Sequence, residues 1–159
     1  MRSLIISSFI LAFILSIFPI SSDWRGLRPE FLVLMVIYWS IYTPQNFGIF
    51  AAWSVGLLQD TIEFSLLGHN ALGLSIVAYI CQLSCQYVRN YTIWQQAGWV
   101  FILVSIYLLF GHWIVGMGYQ RITTPFFLLS AFISAFLWPL IVVFCGRLVG
   151  QQIWYENKD

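Results

Sequence analysis

Charged positions cut this chain into long apolar stretches. Residues 3–22, 31–59, 64–88, 90–120 and 122–146 contain no Asp, Glu, Lys or Arg. A helix needs about 20 apolar residues to cross the hydrocarbon core of a bilayer. A charge at the centre of such a helix costs roughly 2.5–3.5 kcal/mol on insertion scales. Each stretch is therefore long enough to lie in lipid, and the polar breaks between them mark the bilayer surfaces.

The breaks give the elements. Ser21 to Glu30 is the most polar segment of the chain. Pro29 suits the first turn of a helix, and Glu30 favours the positive end of its dipole. Thr43-Pro44-Gln45-Asn46 reads as a turn and splits 31–59 into two short helices. Gly68-His69-Asn70 and Arg89-Asn90-Tyr91-Thr92 are further breaks. Thr123 or Thr124 can cap a last helix, with Pro125 in its first turn. The pattern predicts spans of about 3–20, 29–42, 46–62, 70–88, 94–117 and 124–149, with 151–159 as a short tail. This is an all-α integral membrane protein, a six-helix bundle in one domain. The helix over 31–42 rises only about 18 Å, so it needs tilt, a thinner bilayer or shielding by its neighbours. Tyr38, Trp39 and Tyr42, close to the turn, suggest an interfacial aromatic belt. Pro139 removes one backbone bond and predicts a kink in the last helix.

Composition narrows the class. The chain has seven Lys or Arg, six Asp or Glu and 60% apolar residues, with a mean hydropathy of +0.84. There is no basic patch for nucleic acid. The first helix reads as uncleaved, because Phe18-Pro19-Ile20 lacks a small-x-small processing site. An even number of helices puts both termini on one side. With the amino end inside, the cytoplasmic face holds Arg2, Arg89, Arg147 and Lys158, and the outer face Arg25, Arg28 and Arg121, which weakly satisfies the positive-inside rule. Cys81 and Cys85 share a helix face without His or carboxylate neighbours and read as packing residues, as does Cys145.

Few residues suggest chemistry. Gly48, Ala52 and Gly56 recur every four positions and are followed by Asp60. Such a small-residue face packs either a neighbouring helix of the same chain or a partner's. Asp60 and Glu63 lie three apart. They anchor a helix end, with Asp60 accepting bonds from 68–70 and Glu63 in water, or they handle a cation or proton. His69 reads as bracing a loop. His112, inside a span, reads as a hydrogen bond to a neighbouring helix. No nucleophile elbow, phosphate loop or zinc motif occurs, so the sequence predicts no enzyme, cofactor or metal site.

Several stretches in order carry a resemblance: Arg28-Pro29-Glu30-Phe31-Leu32-Val33-Leu34, Tyr38-Trp39, Gly56-Leu57-Leu58-Gln59-Asp60, Leu67-Gly68-His69-Asn70-Ala71-Leu72, Arg89-Asn90, Trp94-Gln95-Gln96 and Leu137-Trp138-Pro139. Together they resemble the rod shape-determining protein MreD family over about 4–150. The resemblance implies a bacterial inner-membrane subunit of the cell-wall elongation machinery, acting with MreC, MreB, RodA and the elongation transpeptidase. It also implies a fold similar to the substrate-capture subunits of energy-coupling-factor transporters. On that footing Gly48, Ala52, Gly56 and Asp60 suit a partner helix, and Arg25 and Arg28 a partner's juxtamembrane segment. A homodimer is a further expectation. The alternative is a subunit that binds or transports a vitamin-like molecule, with Gln59, Asp60, Asn70 and His112 as its polar groups.

Overall fold

A computed structural model describes residues 2–17, 30–63, 65–116 and 127–156. They form six helices: α1 Arg2–Ile17, α2 Phe31–Tyr42, α3 Ile49–Glu63, α4 His69–Val88, α5 Ile93–Gly116 and α6 Phe127–Glu156. Arg25, Arg28, Arg121 and the Thr123-Thr124-Pro125 cap lie outside the described residues. Helices over His69–Val88, Ile93–Trp113 and Leu128–Arg147 are long and apolar enough to cross a membrane, and Ser3–Ser16 and Phe31–Tyr42 are shorter apolar helices. The chain is a multi-pass membrane protein.

The short α2 is the centre of the molecule. Every residue from Leu32 to Ile41 is buried, so protein and not lipid surrounds it. That is why a helix apolar on all sides survives at this length: its neighbours α1, α4, α5 and α6 supply the shielding. The burial also corrects the expected aromatic belt. Tyr38 and Trp39 are only 3% and 2% exposed. Tyr38 stacks on Tyr42 at 4.7 Å between ring centroids and tilts against Trp138 at 6.3 Å. Trp39 donates its indole N–H to Ser8 Oγ at 2.8 Å, which satisfies the polar edge of a core tryptophan.

Around this axis sit α1 and two helix pairs. α1 packs chiefly on α2 through Ile5, Ser8, Phe9 and Ala12, a stripe with the spacing of one helix face. Phe9 also stacks on Phe47 at 5.2 Å. α3 and α4 form a tight antiparallel hairpin, and α5 and α6 a second. The backbone N–H of Glu30 donates to Ser134 Oγ at 3.0 Å, tying the start of α2 to α6. Pro139 lies inside α6 without ending it. α6 continues to Glu156, so helix persists into the stretch expected to be a tail.

Candidate functional site

The densest polar constellation is where α3 ends and α4 begins. Asp60 is 1% exposed. Its Oδ1 accepts Ser65 Oγ–H at 2.9 Å and the Asn70 N–H at 2.9 Å, and its Oδ2 accepts the N–H groups of Gly68 at 2.8 Å and Ala71 at 3.4 Å. One carboxylate thus caps the first turn of α4 from outside. It meets the orphan amides of a helix N-terminus and the positive end of the dipole together. Gly68 has φ +98°, the left-handed conformation that an L side chain rarely adopts, and this bend turns its N–H to the carboxylate.

The same end carries a hydrogen-bonded chain. Tyr107 of α5 donates to Asn70 Oδ1 at 2.8 Å. Asn70 Nδ2 donates to Glu63 Oε2 at 3.1 Å, and Gln59 Nε2 to Glu63 Oε1 at 3.1 Å. Glu63 is exposed, whereas Gln59 and Asn70 are buried. The Gln59 amide oxygen and His69 Nδ1 are buried with no donor or acceptor among the described residues.

The small-residue face is occupied. A methyl group on Gly56 would lie 2.3 Å from the Ala71 Cα, and Ala52 is wholly buried. The Gly56 notch is what lets the α4 backbone approach α3 closely enough for Asp60 to reach its amides. Gly48, just before α3, has open space around its Cα. A partner helix seated on Gly56 would have to displace α4.

One histidine expectation changes. His69 is the first residue of α4, and its ring lies against Gly111 of α5, so it packs between helices instead of bracing a loop. His112 is exposed, and its Nδ1 donates to the Leu108 carbonyl at 2.8 Å. That bond is made within its own helix, one turn back.

A second hub sits at the other end of α4. Gln96 is 3% exposed. Its Nε2 donates to the carbonyls of Val88 at 3.1 Å and Tyr91 at 3.3 Å. Its Oε1 accepts Tyr42 O–H and Trp138 Nε1–H, each at 3.3 Å. A guanidinium N–H of Arg89 donates to the Tyr42 carbonyl at the end of α2, as a cation does at a helix C-terminus. Thr92 and Gln95 make half of a capping box, with the Thr92 N–H donating to Gln95 Oε1 at 3.1 Å. In the sequence Gln96 stands out only as part of the Trp94-Gln95-Gln96 stretch. Only its partners from α2, α6 and the 88–91 loop reveal it as a buried clasp.

These hubs spend their polar groups on helix ends and interhelical ties. Among the described residues no group of three His, Cys, Asp or Glu is placed to hold a metal ion. An apolar groove of about 340 Å³ runs between α5 and α6, with Gly98 and Ala135 among its lining residues and Trp94 and Phe132 beside them.

A polytopic helical membrane protein, braced by a buried carboxylate cap at one end and a glutamine clasp at the other, is the class this geometry defines. Residues 1–148 match the family of the rod shape-determining protein MreD, and the chain belongs to that family. It is 30% identical over 148 residues to the rod shape-determining protein MreD of Haemophilus influenzae, an alignment that covers 91% of this chain and 89% of that protein. No solved structure matches.

Proposed function

We propose that this chain is a non-catalytic inner-membrane scaffold of the bacterial cell-wall elongation complex, binding MreC and through it serving MreB, RodA and the elongation transpeptidase. Family membership supports the part played in rod shape determination. The observation that carries the non-catalytic reading is the use of Asp60. A buried carboxylate in a membrane protein is a functional-site candidate by default, yet both its oxygens are saturated by the cap of α4. Such a group holds shape and does not turn over substrate.

Membrane-embedded and loop surfaces then do the work, and both termini face the cytoplasm with Arg89. Arg25 and Arg28 remain the candidate contacts for a partner's juxtamembrane segment, and association into a homodimer fits the same scaffold role. The six-helix order is also compatible with the substrate-capture fold of energy-coupling-factor transporters. Depletion of the chain in a rod-shaped cell tests the reading. Cells should round up, and added vitamins should not restore the rods. Rod shape kept on depletion, or rescued by a nutrient, would reject the scaffold.

A further inference from the structure

The groove between α5 and α6 opens where lipid meets the bundle. Gly98 and Ala135 leave the hollow, and Trp94, Phe101, Phe132 and Phe136 surround it. Trp94, Phe132 and Phe136 are 77%, 62% and 70% exposed, so nothing among the described residues covers it. A methyl group on Gly98 would meet nothing within 4 Å. The hollow is therefore open space, unlike the filled notch at Gly56. Both helices are long and apolar enough to cross a membrane, so the hollow lies in hydrocarbon. A cleft left empty there forfeits the dispersion contacts of its lining.

Charge indicates the occupant. The exposed face of α6 runs through Phe132, Phe136, Leu140, Val143 and Arg147, in steps of three or four that stay on one side of a helix. Arg147 makes no hydrogen bond or ion pair among the described residues. It stands eleven residues beyond Phe136, about 16 Å along the axis. Half of a bilayer's hydrocarbon core is about 15 Å. A lipid with its headgroup at Arg147 thus brings the end of an acyl chain into the groove. The Trp138–Gln96 bond sets α5 level with α6, which places the exposed Trp94 on the Arg147 side of the groove, as an interfacial indole would be.

We propose that the α5–α6 groove holds an acyl chain of an anionic phospholipid whose phosphate is bound by Arg147. A guanidinium pairs with phosphate oxygens through two N–H groups of its fork. Neither 90–120 nor 122–146 contains an Asp or Glu to repel the headgroup. A second copy of this chain fits the face poorly. Two copies inserted in the same sense and related by a two-fold axis would bring their Arg147 side chains together at one level. The lipid site does not rest on the scaffold reading.

The test offers phosphatidylglycerol or phosphatidylcholine to the full-length chain, purified in mild detergent, and counts retained lipids by native mass spectrometry. One phosphatidylglycerol should stay bound, preferred about fivefold, the factor that one cation at the surface supplies. Gly98→Leu fills the hollow and should lower retention at least tenfold. Arg147→Gln should erase the preference, and Arg147→Lys should keep it. Ser54→Leu, which adds similar bulk at an exposed position of α3, should change nothing. Thermal unfolding should show that each variant is folded. Phosphatidylglycerol with a diazirine at the end of its acyl chain should crosslink within 94–101 and 132–136. No retained lipid, unchanged retention with Gly98→Leu, or a preference that survives Arg147→Gln overturns the proposal. So do crosslinks spread evenly over the exposed faces of α1 and α3, or a lipid-free dimer that Gly98→Leu dissociates.

Discussion

At the scale of single residues, Asp60 and Gly56 depend on one another. Asp60 faces only donors: three backbone N–H groups and one hydroxyl. An asparagine there would turn an NH₂ toward N–H groups that need an acceptor. Asp60→Asn should therefore cost nearly as much as Asp60→Ala, about 3 kcal/mol for a lost cap together with stranded buried amides. Thermal unfolding in detergent checks this, and an Asn variant close to wild type would refute the account. Gly56→Ala puts a methyl 2.3 Å from the Ala71 Cα. It should destabilise the hairpin by about 1–3 kcal/mol, since backbone has to move. Gly48→Ala meets nothing within 4 Å and should be neutral, or stabilising by about 0.4–1 kcal/mol. Equal effects of the two substitutions in the same unfolding assay would show that the notch at Gly56 is not what brings α3 and α4 together. The sequence displayed the Gly48/Ala52/Gly56 periodicity but could not say which helix answers it. Spacing defines a face, and only the folded chain supplies the surface packed against it.

At the scale of elements, the helices were legible and their environments less so. Breaks at Thr43 to Asn46, at 68–70 and at Arg89 to Thr92 follow from turn chemistry, and the end of α2, both ends of α4 and the start of α5 lie beside them. The error over Tyr38 and Trp39 has a physical cause. In a chain this apolar, the inside of the bundle and the lipid outside select the same side chains, so an aromatic residue near a turn fits either place. Ser8, Ser134 and Gln96 were missed for the converse reason: one hydroxyl or amide in an apolar run gives no periodic signal, and its role is set by a residue 31 to 104 positions away. Gln96 is the sharpest case. Replacing it by leucine strands the buried indole N–H of Trp138 and takes from the Val88 carbonyl one of its two donors, the other being the Tyr91 N–H. Gln96→Leu should cost about 3 kcal/mol. Trp138→Tyr keeps an aromatic body and leaves Gln96 its other three partners, so its hydrogen-bond loss should be nearer 1 kcal/mol. Unfolding midpoints of the two variants should fall in that order, and the reverse order would place the clasp elsewhere.

At the scale of the whole molecule, the two hubs define opposite ends of one bundle. The 43–47 turn belongs to the Gln96 end: Arg89 donates to the Tyr42 carbonyl, and Gln82 Nε2 donates to the Phe47 carbonyl at 3.3 Å. The 65–68 loop belongs to the Asp60 end, the length of α4 away. If α3 and α4 each traverse the membrane, the turn before α3 shares a side with Asn90, and Leu67 is on the other. Single cysteines at Asn46, Asn90 and Leu67, all exposed, test this in a background where Cys81, Cys85 and Cys145 are replaced by alanine. A membrane-impermeant maleimide added from outside sealed, right-side-out vesicles should label position 67 and spare 46 and 90, and inverted vesicles should give the opposite pattern. The expectation for sidedness comes from Arg89 and Arg147, the cations the positive-inside rule keeps in the cytoplasm. Labelling of 46 and 67 from the same side would mean that α3, the helix between them, does not cross the bilayer.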